Sequence, residues 1–74
     1  MRPYRRLIAS NIIINLKTGT ALAGALVRQD GQLLFLRNVT LYSVGADPTP
    51  VDGEVVVERD HIDFIQRPIV GGSL

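Results

Sequence analysis

The chain has no cysteine and no tryptophan, one methionine, one histidine and only four aromatic residues among its 74. Without cysteine there is no disulfide to staple a small core, and no Cys/His cluster for a structural metal. Without an aromatic-rich surface there is no ladder of stacking platforms of the kind that single-strand binders use. No apolar run reaches the ~20 residues that a membrane span needs. The opening "MRPYRRLIASNIIINL" has the basic start and apolar run of a leader, but Asn11 interrupts it and no small-residue cleavage site follows. The expectation is therefore a soluble chain with no signal peptide.

A chain this short makes one domain and buries only about 60% of the surface its unfolded form exposes. Small domains without staples lean on partners, so self-association is expected. The net charge of +1 lies far from the strongly basic balance of a dedicated nucleic-acid binder. The charges are nonetheless segregated. Up to Gly45 there are six basic residues (Arg2, Arg5, Arg6, Lys17, Arg28, Arg37) against Asp30 alone, and from Ala46 onward six acids against Arg59 and Arg67. Folding can remix these signs into an ordinary solvated surface. It can also leave a dipolar subunit whose basic end meets the acidic end of a neighbour, as head-to-tail rings require.

Residues 1–10 read as a basic arm, with Pro3 opposing a regular helix at the start and a short turn possible from Tyr4 to Ala9. "NIIINLK" reads as a first strand buried on both faces or lying at an interface, and Thr18-Gly19-Thr20 as a hairpin turn. Ala21 to Arg28 is a second strand, with Gly24 marking a sharp bend of the kind found at barrel corners. Gln29-Asp30-Gly31 turns the chain into a third strand, Gln32 to Tyr42, whose apolar content is too continuous for one wet face. Ser43 to Gly53 is a loop, Glu54 to Glu58 a fourth strand with Val55 and Val57 facing one way, and Ile62 to Gln66 a fifth after a tight connection. Residues 67–74 form a tail without periodicity. Five short strands, tight turns and almost no helix signal imply an all-β, five-stranded small barrel over residues 11–66, closed on itself so that no apolar edge is exposed.

The order of these features resembles the Sm-like fold of the Sm, Lsm and Hfq proteins. Leu16, Gly19, Gly24 and Asp30, followed by "LLFL", match that family's first motif, and "VVVERDHIDFI" matches its second. The resemblance spans Ile12 to Gln66. It implies a ring of six or seven subunits in which Val55–Glu58 of one copy pairs with Ile62–Gln66 of the next. It also implies an N-terminal helix, for which only Tyr4–Ala9 is available.

The family's RNA chemistry is not carried by these residues. The polar residue, often Asn, that holds a base four positions after the motif Asp is replaced by Leu34. The Arg-Gly of the second motif is replaced by Glu58 and Arg59, and Glu58 would repel phosphate. The two phenylalanines, Phe35 and Phe64, read as core. A looser resemblance links "PVDGEVVVERDHIDFIQ" to small virion proteins of tailed actinobacterial phages.

No residue set points to catalysis. His61 reads as a turn or solvent-exposed histidine, and Asp60, His61 and Asp63 point in different directions along a turn and strand, which is a poor cation cage. Ser10, Ser43 and Ser73 lack an elbow motif, and no glycine-rich loop leads from a strand into a helix. The sequence thus predicts a non-enzymatic assembly protein without cofactor, metal or small-molecule substrate. The expected setting is a virion assembled in the host cytoplasm, with copies of itself or a larger phage structural protein as partner. The candidate contact residues are Arg2, Tyr4, Arg5 and Arg6 in the arm, with Val55, Val57, Ile62 and Phe64 on the last two strands. The alternative is an Sm/Hfq-like RNA-binding ring, with nucleic acid touching the basic arm if anywhere.

Overall fold

The computed structural model describes residues 10–68. In chain order these form β1 (Asn11–Leu16), β2 (Ala21–Asp30), β3 (Leu33–Tyr42), β4 (Thr49–Val51), β5 (Val55–Glu58), a 3₁₀ turn (Arg59–His61) and β6 (Ile62–Gln66). All pairings are antiparallel. The sheet runs β4-β3-β2-β1-β6, and β5 joins the same margin of β3 further along. The described residues hold no helix long and apolar enough to cross a membrane. The arm candidates Arg2, Tyr4, Arg5 and Arg6, and the helix expected at Tyr4–Ala9, lie outside the described residues.

The hairpins follow from local chemistry. The β1–β2 turn is closed by Gly19 N–H donating to Leu16 O at 2.9 Å and Leu16 N–H donating to Thr20 O at 2.8 Å. Asp30 pairs with Leu33, so the β2–β3 loop is the two residues Gly31-Gln32, one position later than the expected turn. Gly31 takes the positive φ of 60° that such a tight hairpin demands.

Curvature comes from the middle of β2 and β3. The β2–β3 register slips between Ala23 and Ala25, opposite Asn38, which has φ of 55°, and slips again between Leu26 and Arg28. Bulges of this kind bend and twist a sheet. At the first one the strands close to a distance that only glycine allows. A Cβ on Gly24 would lie 2.9 Å from Arg37 O and 2.9 Å from Val39 Cγ2. Gly24 thus marks the predicted corner.

Side chains then sort by strand parity. Ile12 and Ile14 of β1, Leu22 and Leu26 of β2, Leu34, Leu36 and Val39 of β3, and Val57 of β5 are buried as one cluster. Burying each such side chain is worth about 1.5–3 kcal/mol. Strand β6 adds only the half-buried Ile62 and Ile65, so the core thins towards that margin.

Four expectations need correction. The β1 strand is not buried on both faces, because Asn11 is exposed and Ile13 half-buried between buried Ile12 and Ile14. The predicted loop contains a sixth strand, β4, paired to Val39–Leu41. Three residues with a proline at the centre give almost no periodicity, so the pattern is silent there. Neither phenylalanine is core. Phe35 shares a face with Arg37, alternate to buried Leu34 and Leu36, and Phe64 is 52% exposed. Finally, the sheet does not close on itself, since β5 pairs only with β3 and β6 only with β1 among the described residues.

Replacing Gly24 by alanine drives a methyl group into backbone that cannot retreat without unbending the corner. Overpacking of this kind costs about 1–3 kcal/mol. Urea denaturation at a fixed protein concentration should show Gly24→Ala lowering the unfolding free energy by that amount, with the midpoint falling accordingly.

Candidate assembly edges and nucleic-acid face

The 3₁₀ turn Arg59–His61 carries the chain from one margin of the sheet to the other. Its first residue is tied to the β2–β3 hairpin, Arg59 N–H donating to Gln32 O at 2.7 Å. Its last is tied to the β1–β2 turn, Lys17 N–H donating to His61 O at 2.9 Å. Held at both ends, the turn sets β5 on the β3 margin and β6 on the β1 margin. Each is left with one edge of unpaired main-chain groups, since no strand among the described residues flanks it.

The side chains at these edges divide by parity. On β5, Val57 is buried, Val55 half-buried, and Val56 is 49% exposed. On β6, Ile62 and Ile65 are half-buried, while Phe64 projects from the opposite face. Beside it, Asn15 Nδ2 donates to Gln66 Oε1 at 2.9 Å and fixes the outer surface of the β1–β6 pair. A groove of about 320 Å³ runs along β5, floored by Leu16, Leu22 and Val57 and rimmed by Val56, Glu58 and His61. It is the gap in the barrel wall where core side chains approach the surface.

The structure therefore places the four strand candidates on the two free edges, in two different roles. Val55, Val57 and Ile62 face the core and can offer a partner their backbone, whereas Phe64 can offer its ring. Val56 is the exposed apolar residue that sequence reasoning passed over. Strict alternation through "VVV" would have found it once Val55 and Val57 were placed inward.

A second feature is the loop end of the barrel. The Arg59–Gln32 bond and the Glu58–Leu33 pairing bring the β2–β3 hairpin and the 3₁₀ turn together. The end presents the exposed carboxylates of Asp30, Glu58 and Asp60. Leu34, at the position where a base-holding polar residue was sought, is 0% exposed and pairs with Val57. It is a core residue and offers nothing to a ligand. The side chain of His61 is exposed, and among the described residues no group of three or more His, Cys, Asp and Glu side chains could hold a metal ion.

Solved structures resemble this fold over nearly its whole length. A heptameric archaeal Sm protein superposes with a TM-score of 0.78 at 18% identity, over 93% of this chain and 100% of that one. The Pyrococcus abyssii Sm protein, solved in complex with a uridine heptamer, gives 0.76 at 19% identity over 89% and 93%. A chain of the NatC complex bound to CoA gives 0.75 at 28% identity over 86% and 82%. No protein-family model matches the chain, and no curated protein sequence matches it. The fold is Sm-like.

Restoring the family's polar residue would not restore its chemistry. Leu34→Asn puts an amide into an apolar core with no partner, which should cost about 2–5 kcal/mol. Chemical denaturation should show that loss, and the variant should bind uridine oligomers no better than the parent chain.

Proposed function

We propose, from this Sm-like fold, that the chain is a subunit of a homo-oligomeric ring and that the ring binds single-stranded RNA. The observation that carries the first half is the pair of free edges, β5 and β6, held apart on one chain by the 3₁₀ turn. A strand on each margin cannot satisfy itself. Joining β5 of one copy to β6 of the next is a head-to-tail contact, and repeated head-to-tail contacts close into a ring when the rotation permits. Main-chain hydrogen bonds supply the affinity of such a join, and flanking side chains its register. Val56 and Phe64 flank the two edges on the outer face, and the groove beside Val57 is filled from the neighbour.

Two heptameric Sm relatives, the archaeal protein and that of P. aerophilum, support the ring, and the uridine heptamer bound to the P. abyssii protein supports the ligand class. The departures at Leu34, Glu58 and Arg59 mean that this chain contacts RNA by other residues than the family's base-reading ones. The proposal is one of binding rather than catalysis. A virion setting and a larger phage structural protein gain no support from these relatives and form no part of the proposal. The basic arm keeps its candidate role as a further contact with neighbours.

The likeness to a chain of the NatC complex, at the higher identity of 28%, favours one second reading: the same two edges capped by different proteins in a mixed assembly.

Native mass spectrometry of the purified chain separates the two. The ring reading expects one closed multiple of the 8.1 kDa protomer. A stable monomer would sink it in favour of the mixed assembly. The double variant Val56→Lys with Phe64→Lys sets like charges beside each join and should reduce the ring to monomer, whereas Val56→Lys with Phe64→Glu should keep it. A ring that survives both changes would mean that copies meet elsewhere.

A further inference from the structure

The acidic loop end leaves open which surface meets RNA, and the outer face of β2 and β3 answers it. Phe35 and Arg37 lie two apart on β3 and so project from the same face, alternate to the buried Leu34 and Leu36. Arg28 is the cross-strand partner of Phe35, and its guanidinium carbon sits 3.9 Å above the centre of the ring. Arg28 and Arg37 are both exposed. A shallow groove of about 370 Å³ runs between them, with Val27 and Glu54 as its other walls.

We infer that this face is the ring's RNA-contact surface, taking a base on the Arg28–Phe35 stack and a phosphate on Arg37. The inference rests on the RNA-binding reading above and moves its site away from the loop end. Three features of the face support it. The planar Arg28 guanidinium sits over the Phe35 ring, and a planar guanidinium is a surface on which an unpaired base stacks. Among the described residues the Arg37 side chain has one loose partner, Glu54 Oε2 at 3.7 Å, and both side chains of that pair are wet. An exposed pair of this kind is worth little and yields readily to a phosphate, which arginine can grip with two parallel bonds. The electrostatics also differ between the two ends. Around the groove two arginines stand against Glu54, whereas further along the same face Asp30, two residues from Arg28, opens the acidic loop end with Glu58 and Asp60 beside Arg59. Neither arginine stands on β5 or β6, so edge-to-edge assembly leaves both open.

The test is fluorescence-anisotropy binding of labelled oligo-uridine and oligo-adenine to the assembled ring, repeated across a salt series. Arg28→Ala with Arg37→Ala should weaken binding by about tenfold or more and flatten the log–log salt slope by about 0.7, the loss expected when the single phosphate contact of Arg37 is removed on a single strand. Arg28→Lys keeps the charge but removes the planar stack, and should still weaken binding several-fold. Asp30→Asn with Asp60→Asn should change affinity by less than twofold. All these residues are exposed, and native mass spectrometry confirms that each variant keeps its ring. If the parent ring binds RNA and the double alanine variant binds equally well, the face is overturned while the RNA reading stands. A strong gain from the aspartate changes would likewise return the site to the loop end. If the parent ring binds neither oligomer, the RNA reading fails and the inference with it.

Discussion

Two main-chain hydrogen bonds govern the architecture: Arg59 N–H to Gln32 O and Lys17 N–H to His61 O. They clamp a three-residue 3₁₀ turn across the end of the barrel, and that turn decides on which side of the sheet each of the last strands is laid. A longer or looser connection would let β6 swing back against β5 and seal the barrel within one chain. The short clamped turn prevents this. Among the described residues each margin is left without a strand partner, and the core thins towards the β6 margin. The proposed join between copies rests on this connectivity, and the small core of a short chain without disulfides is consistent with it.

The same clamp shapes the chemistry of the loop end. By joining the β2–β3 hairpin to the 3₁₀ turn it gathers Asp30, Glu58 and Asp60, so the end is held together by backbone while its side chains repel anions. Leu34 offers nothing to a ligand at that end, since its side chain is buried opposite Val57. The outer face of β2 and β3 is under no such constraint. Its residues alternate with the core and are free to carry arginine and an aromatic ring without cost to the fold.

Much of this was legible in the sequence. Gly19, Gly24 and Asp30 at their spacing predicted the hairpins and the corner, and the short last strand matched Ile62–Gln66 residue for residue. The missing residue at position 34 and the altered pair at 58 and 59 could also be read directly. What escaped were features set by long-range pairing. The strand β4 is three residues long with a central proline and exists because β3 has a free stretch of margin to receive it. The exposure of Phe35 and Phe64 depends on parity relative to partner strands, and the bulges that reset parity on β2 and β6 leave no local signature. The Arg28–Phe35 stack joins residues on different strands, whose pairing only the register reveals.

The close approach at Gly24 has a meaning beyond the single chain. It fixes how sharply β2 and β3 fold over, and so the angle between the two free margins they carry. In a head-to-tail ring that angle is the wedge each copy contributes to a full circle. In such a ring the number of copies would depend on backbone curvature at this corner as well as on the joined edges. A corner opened slightly would call for one more copy, and one drawn tighter for one fewer, with every contact along the joined edges unchanged.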